Sequence, residues 1–209
     1  MIILGIGLLT IAGISLFGSP ISANSGGNGM ILKNWRQFDD LFKAAAQKYA
    51  LPDFKIPAFV LDGVTYGPYV LKGWQWLKVV CLKESTLGNH KKVARGLIAP
   101  TDVAGSTSED GLSWGLMQVT LKTAREMDPS ATEVKLNDPA YSIDLAARYV
   151  RTLRGYFDVS DPRFAEWVAK AYNQGPGRTQ KERAGTAASA AASYWTLFKG
   201  FIVEVMRNP

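Results

Sequence analysis

WQWLKVVCLKESTLGN, residues 74–89, is apolar at helical spacing and then turns charged and polar. At about 100° per residue, Val70, Trp74, Leu77, Cys81 and Glu84 fall on one face, so the spacing predicts a helix whose apolar stripe ends in a carboxylate. Burial there disfavours the charged form and raises the carboxyl pKa, which makes Glu84 a usable proton donor near neutral pH. The same letters also fit an ordinary amphipathic helix, with Glu84 solvated in the last turn and Gly88 as its stop. Taken alone, the stretch leaves both readings open.

Outward from it the pattern stays helical. Between Asn34 and Ala50 the residues Trp35, Phe38, Leu41, Phe42, Ala45 and Tyr49 share a side, with Asn34 as N-cap and Leu51-Pro52 as the stop. Residues 53–69 are rich in Pro and Gly and are expected to form loops, with Phe59–Leu61 and Val64–Tyr66 as short extended pieces that could pair as a small β-hairpin. His90 to Leu112 is a long aperiodic connection, of a length at which connections commonly serve function. Leu116, Val119, Thr123 and Met127 then line up and predict a helix over Trp114–Asp128.

Asp138 as N-cap and Pro139 at the first helical position open a helix with Ile143, Ala147, Val150, Leu153 and Phe157 on one face. Asp161-Pro162 repeats the device for a helix bearing Phe164, Trp167, Val168, Ala171 and Tyr172, broken at Gly175-Pro176-Gly177. A last helix is expected from Thr186 to Met206, carrying Ala191, Trp195, Phe198, Ile202 and Val205. No long alternating run competes, so the expected fold class is mainly α.

With 209 residues, 47% of them hydrophobic, the chain can bury a sizeable core. Its net charge of +6, from 24 Lys+Arg against 18 Asp+Glu, favours polyanionic partners. The basic residues are scattered and match no nucleic-acid-binding motif, so no nucleic-acid partner is expected. Cys81 is the only cysteine and His90 the only histidine, which excludes an intrachain disulfide, a Cys/His zinc cluster and most nucleophile–His arrangements. Asp102 to Asp110 lacks the ligand spacing of a calcium loop, so neither metal nor cofactor is expected. Cys81 reads as a small buried hydrophobe. Chemistry is left to carboxylates, hydroxyls and amides.

Met1–Phe17 has no charged side chain and predicts an N-terminal hydrophobic helix. It fits a membrane anchor, a signal segment cleaved near Ser22-Ala23, or a core helix, and the first basic residues, Lys33 and Arg36, lie beyond it. Residues 18–30 then read as a flexible linker and 31–209 as the folded domain.

Four pieces share an order: Lys83-Glu84-Ser85 after an apolar helix, Gly115-Leu116-Met117-Gln118, Asn137-Asp138-Pro139 running on to Arg148-Tyr149, and Ala171-Tyr172-Asn173-Gln174-Gly175-Pro176-Gly177. Together they resemble lytic transglycosylases of the soluble lytic transglycosylase type, in the lysozyme-like superfamily, over about residues 70–200. The resemblance implies a lysozyme-like helical domain that cleaves the β-1,4 bond between N-acetylmuramic acid and N-acetylglucosamine in peptidoglycan. By position it implies Glu84 as the single catalytic acid and Ser85, the hydroxyl following it, as a substrate-binding residue. Gly115, Met117 and Gln118 then line the glycan groove, Tyr172 and Asn173 face the acid, and Tyr194 corresponds to a further tyrosine. Packing alternatives stay open: Met117 as core filling and Asn173 as a helix cap or cross-link. The stretch between Glu84 and Gly115 is longer than the family's, and Ser106–Ser108 matches a family serine segment only loosely.

A glycosidase of the usual kind needs two carboxylates, and Glu109 or Asp110 in the long connection is the possible second one. That is the alternative of a hydrolysing muramidase like the goose-type lysozymes. A non-catalytic wall-binding subunit is the other. The expected setting is the membrane or the periplasmic side of the envelope. There, wall opening would be local, by a phage particle, a phage lysis system or an envelope-spanning secretion machine.

Overall fold

The computed structural model describes residues 35–88 and 112–209. The first part runs α1 (Asp39–Lys48), β1 (Phe54–Ile56), β2 (Phe59–Leu61), β3 (Val64–Tyr66), β4 (Tyr69–Leu71) and α2 (Gly73–Ser85). The second runs β5 (Ser113–Trp114), β6 (Val119–Thr120), α3 (Leu121–Met127), α4 (Glu133–Asn137), α5 (Pro139–Arg154), α6 (Phe164–Gln174), α7 (Pro176–Arg183) and α8 (Ala192–Arg207). The fold is mainly helical, with small antiparallel strand pairs. The hydrophobic helix expected at 1–17, the linker 18–30, the cap at Asn34, and Glu109 and Asp110 lie outside the described residues. Among the described residues no helix is long and apolar enough to cross a membrane.

Everything is arranged about α2, which is apolar on nearly all sides: Trp76, Leu77, Val79, Val80 and Cys81 are fully buried. α1, α5 and α8 pack against it. Phe54 of β1 stacks on Trp76 at 4.0 Å, and Phe198 of α8 meets the same indole at 4.9 Å. Lys78, also fully buried, reaches Asp39 of α1 at 2.8 Å and lies 4.5 Å from the Trp35 ring. A buried ammonium needs such a partner, so the pair fixes how α1 seats on α2.

The stripe read from the sequence starts too early. Val70 is half exposed in β4, whose Leu71 pairs with Phe54 of β1, and α2 begins only at Gly73. A Cβ at Gly73 would stand 2.6 Å from Leu51 Cβ, so the chain crosses its own earlier turn there. The expected hairpin is present, with Phe59 opposite Tyr66, Leu61 opposite Val64 and both turn residues, Asp62 and Gly63, at positive φ.

Other boundaries moved for local reasons. Trp114–Asp128 is not one helix: Ser113 and Trp114 pair with Thr120 and Val119 around a turn, and α3 starts at Leu121, where Thr120 Oγ1 accepts the Thr123 N–H at 3.1 Å. α1 starts at Asp39, and Trp35, before it, donates its indole N–H to the Asn208 carbonyl at 2.8 Å. Asp138 caps α5 as expected, accepting the Tyr141 N–H at 2.7 Å. α6 starts at Phe164, after Asp161 has taken the Arg163 N–H at 2.8 Å, so Pro162 is not in its first turn. Gly175 ends it, but Pro176 opens α7. α8 begins at Ala192, six residues later than Thr186.

Candidate active site

Glu84 occupies the last turn of α2 and is partly exposed. Tyr194, in the first turn of α8 and 110 residues away in the chain, donates its hydroxyl to Glu84 Oε1 at 2.7 Å. Burial raises the Glu84 carboxyl pKa, while the Lys83 charge and the Tyr194 hydrogen bond oppose that rise. Tyr172 and Tyr194 are themselves pushed well above the usual phenol range by burial and then by the Glu84 charge. They are neutral phenols beside a carboxyl whose pKa burial raises, Tyr194 donating to it directly.

Beside this pair, the turn Gly115–Gln118 is pinned from several sides. Ser85 Oγ donates to the Leu116 carbonyl at 2.7 Å and accepts the Gly88 N–H at 3.1 Å. Ser142 Oγ of α5 accepts the Met117 N–H at 3.2 Å, and Tyr172 of α6 donates to the Met117 carbonyl at 2.8 Å. Gly115 lies at φ 70, and a Cβ there would stand 1.8 Å from the Leu136 carbonyl oxygen. Only glycine lets the turn approach the end of α4 so closely. Gln118 folds its amide back to the Gly115 carbonyl at 2.7 Å. On the other side of Glu84 the helix stops abruptly, with Thr86, Leu87 and Gly88 all at positive φ. The stop therefore begins two residues before Gly88.

The structure thus brings Glu84, Tyr194 and Tyr172 together and sorts the other candidates by accessibility. Ser85 and Met117 are buried, with the Ser85 hydroxyl and the Met117 backbone occupied in holding the turn. Gln118 and Tyr172 are partly exposed and Asn173 is exposed. Tyr149, given no role from the sequence, stands edge-tilted against Tyr172 at 5.5 Å. Lys83 was also passed over, though its ammonium lies 4.5 Å from the centre of the Tyr194 ring. The sequence signal was a cation immediately preceding the carboxylate. Cys81 is buried, its thiol pushed up to about 12 by burial, so it is inert packing. A depression of about 220 Å³ between Phe59, Arg163 and Trp195 contains none of these residues.

A carboxyl at a helix end whose pKa burial raises suits proton donation to a glycosidic oxygen, and a helical core with small hairpins around it is the plan of a lysozyme-like domain. The chain belongs to the transglycosylase SLT domain family, whose match covers residues 74–194, from the first turn of α2 to Tyr194. It is accordingly an enzyme, a peptidoglycan lytic transglycosylase. No curated protein matches the chain.

Proposed function

We propose that the enzyme cleaves the MurNAc-β-1,4-GlcNAc bond without consuming water and leaves a 1,6-anhydroMurNAc end. The observation behind this is the environment of Glu84. Burial raises its carboxyl pKa, and the Tyr194 hydroxyl holds Oε1 at 2.7 Å. A route in which this one group is acid and then base suits that setting. Protonated Glu84 gives its proton to the leaving glycosidic oxygen as the C1–O bond breaks, and the substrate's own N-acetyl group stabilises the cation-like centre. The resulting carboxylate then takes the proton of the 6-hydroxyl while that oxygen bonds to C1. One group serves as acid and then as base, and returns to its starting state.

Tyr194 holds Oε1, which leaves Oε2 for the substrate. In this reading Gln118 and Asn173 bind acetamido groups, since neutral donors fix sugars without adding charge beside the acid. Ser85, Gly115, Met117 and Tyr172 act one step back, by holding the turn that forms the groove edge. Replacing Glu84 with Gln keeps the size and the Tyr194 acceptor but removes the proton. Glu84→Gln is expected to reduce clearing of purified peptidoglycan at least a hundredfold, roughly the contribution of a positioned acid, with unchanged circular dichroism. Retained lysis would sink the assignment.

We also propose that Met1–Phe17 holds the enzyme at the membrane, where a tether confines cutting to a local opening such as a phage or envelope-spanning machine requires. Residues 18–30 then serve as the linker and 31–209 as the catalytic domain. Deleting residues 1–17 is expected to move the protein from the membrane fraction to the soluble one. Unchanged fractionation would remove the tether.

A further inference from the structure

Glu84 has two tasks, and its burial serves only the first. Desolvation keeps a proton on the carboxyl until a leaving oxygen takes it, but it also penalises the carboxylate that must persist until the 6-hydroxyl gives up its proton. A group that is acid and then base works best when neither form is strongly disfavoured. Something has to offset the burial.

We propose that Lys83 is a positioning residue for this reaction: its ammonium, seated on the Tyr194 ring, holds the phenol against Glu84 and stabilises the carboxylate formed after proton donation. The inference rests on the one-carboxylate reading above. Lys83 and Glu84 are consecutive in the last turn of α2, and the Lys83 Nζ lies 4.5 Å from the Tyr194 ring centre. The hydroxyl of that ring is 2.7 Å from Glu84 Oε1. The three side chains thus form one unit, cation on ring and ring on carboxyl. A cation over a ring face is attracted by its quadrupole, and the contact is stronger where the ring is desolvated, as Tyr194 is at 4% exposure.

Among the described residues, the titratable groups acting on or acted on by Glu84 are Lys83 and Cys81 of α2, Tyr194 of α8 and Tyr172 of α6. Burial pushes the Cys81 thiol and both phenols up, so they remain neutral at physiological pH. Of these four, Lys83 is the charged one, and its charge opposes the burial of Glu84. A last-turn lysine also interacts favourably with the helix C-terminus. That structural role alone would leave the protonation of Glu84 unaltered.

The test compares wild type, Lys83→Met and Lys83→Arg in two measurements. One is the pH profile of kcat/KM for clearing purified peptidoglycan. The other is the Glu84 side-chain carboxyl titration by NMR, assigned with Glu84→Gln, which needs no turnover. In Lys83→Met the alkaline limb and the titration midpoint should both rise by about half a pH unit or more, a size expected for loss of one partly exposed neighbouring charge. Lys83→Arg should stay close to wild type. Should the methionine variant melt early, Lys83→Gln makes the same comparison. An unmoved midpoint on loss of the charge, or an arginine variant that shifts as far as the methionine one, would overturn the proposal. A raised midpoint combined with lysis by Glu84→Gln would instead show that the acid was misassigned, and the positioning role would fall with it.

Discussion

The Glu84–Tyr194 hydrogen bond sets the chemistry at the smallest scale, and it also has a stability consequence. In the folded protein the Glu84 pKa lies above its ordinary value of 4.5 because of burial, so the folded state binds that proton more tightly than the unfolded chain does. Stability from this group is therefore intact below about pH 4.5 and declines as pH rises through the folded value. Glu84→Gln, which cannot ionise, is expected to melt at the same temperature as wild type near pH 4 and higher than wild type at pH 7 to 8. Equal melting temperatures across that range would mean that the carboxyl is not desolvated. Glu84 was legible in the sequence because the order of the later motifs resolved what its own stretch left open, a last-turn glutamate that could equally be solvated. Ser85 and Met117 were named from their motif as substrate-facing, yet which way a side chain turns depends on the helices packed behind it, and both turn inward. Lys83, though part of the Lys83-Glu84-Ser85 piece, was given no role because a contact with Tyr194, distant in sequence, has no periodicity to reveal it.

At the level of elements, the turn between β5 and β6 is the most constrained piece. Gly115 has both a left-handed backbone and a carbonyl in the space its Cβ would need. Gly115→Ala must displace the Leu136 carbonyl or the turn itself, and is expected to destabilise the fold by more than about 2 kcal/mol. That corresponds to a melting temperature lower by about 4 °C or more for a domain of this size. Lysis should fall with it because the turn borders Glu84; an alanine variant with wild-type melting and activity would contradict the close approach. The start of α5 behind Asp138-Pro139 was readable to the residue, although the helix ends at Arg154 and not at Phe157. The run from Trp114 to Asp128 was misread as a single helix because its apolar residues mimic helical spacing. The positive φ of Gly115 and Gln118, which no periodicity encodes, breaks it into a hairpin and a short helix. Val70 misled in the same way, since one apolar residue fits a strand as well as a helix.

Across the whole molecule, the mainly helical class followed from the absence of alternating runs, and the site followed from the order of four separated motifs. Three helices far apart in sequence then bring Glu84, Tyr172 and Tyr194 to one place. Short-range patterns do not state that meeting, and only the packing of α8 on α2, with α6 against α5 and α8, produces it. The net charge of +6 suits an enzyme that works on an anionic wall, although it selects no bond within it. What separates a one-carboxylate transglycosylase from a two-carboxylate muramidase is the fate of water. Mass spectrometry of the glycan fragments released from purified peptidoglycan by the wild-type enzyme reads this directly. Muramic acid ends lighter by one water than hydrolysis products are expected, carrying the 1,6-anhydro ring; fragments ending in reducing N-acetylmuramic acid would contradict the role given to Glu84 as sole acid and base.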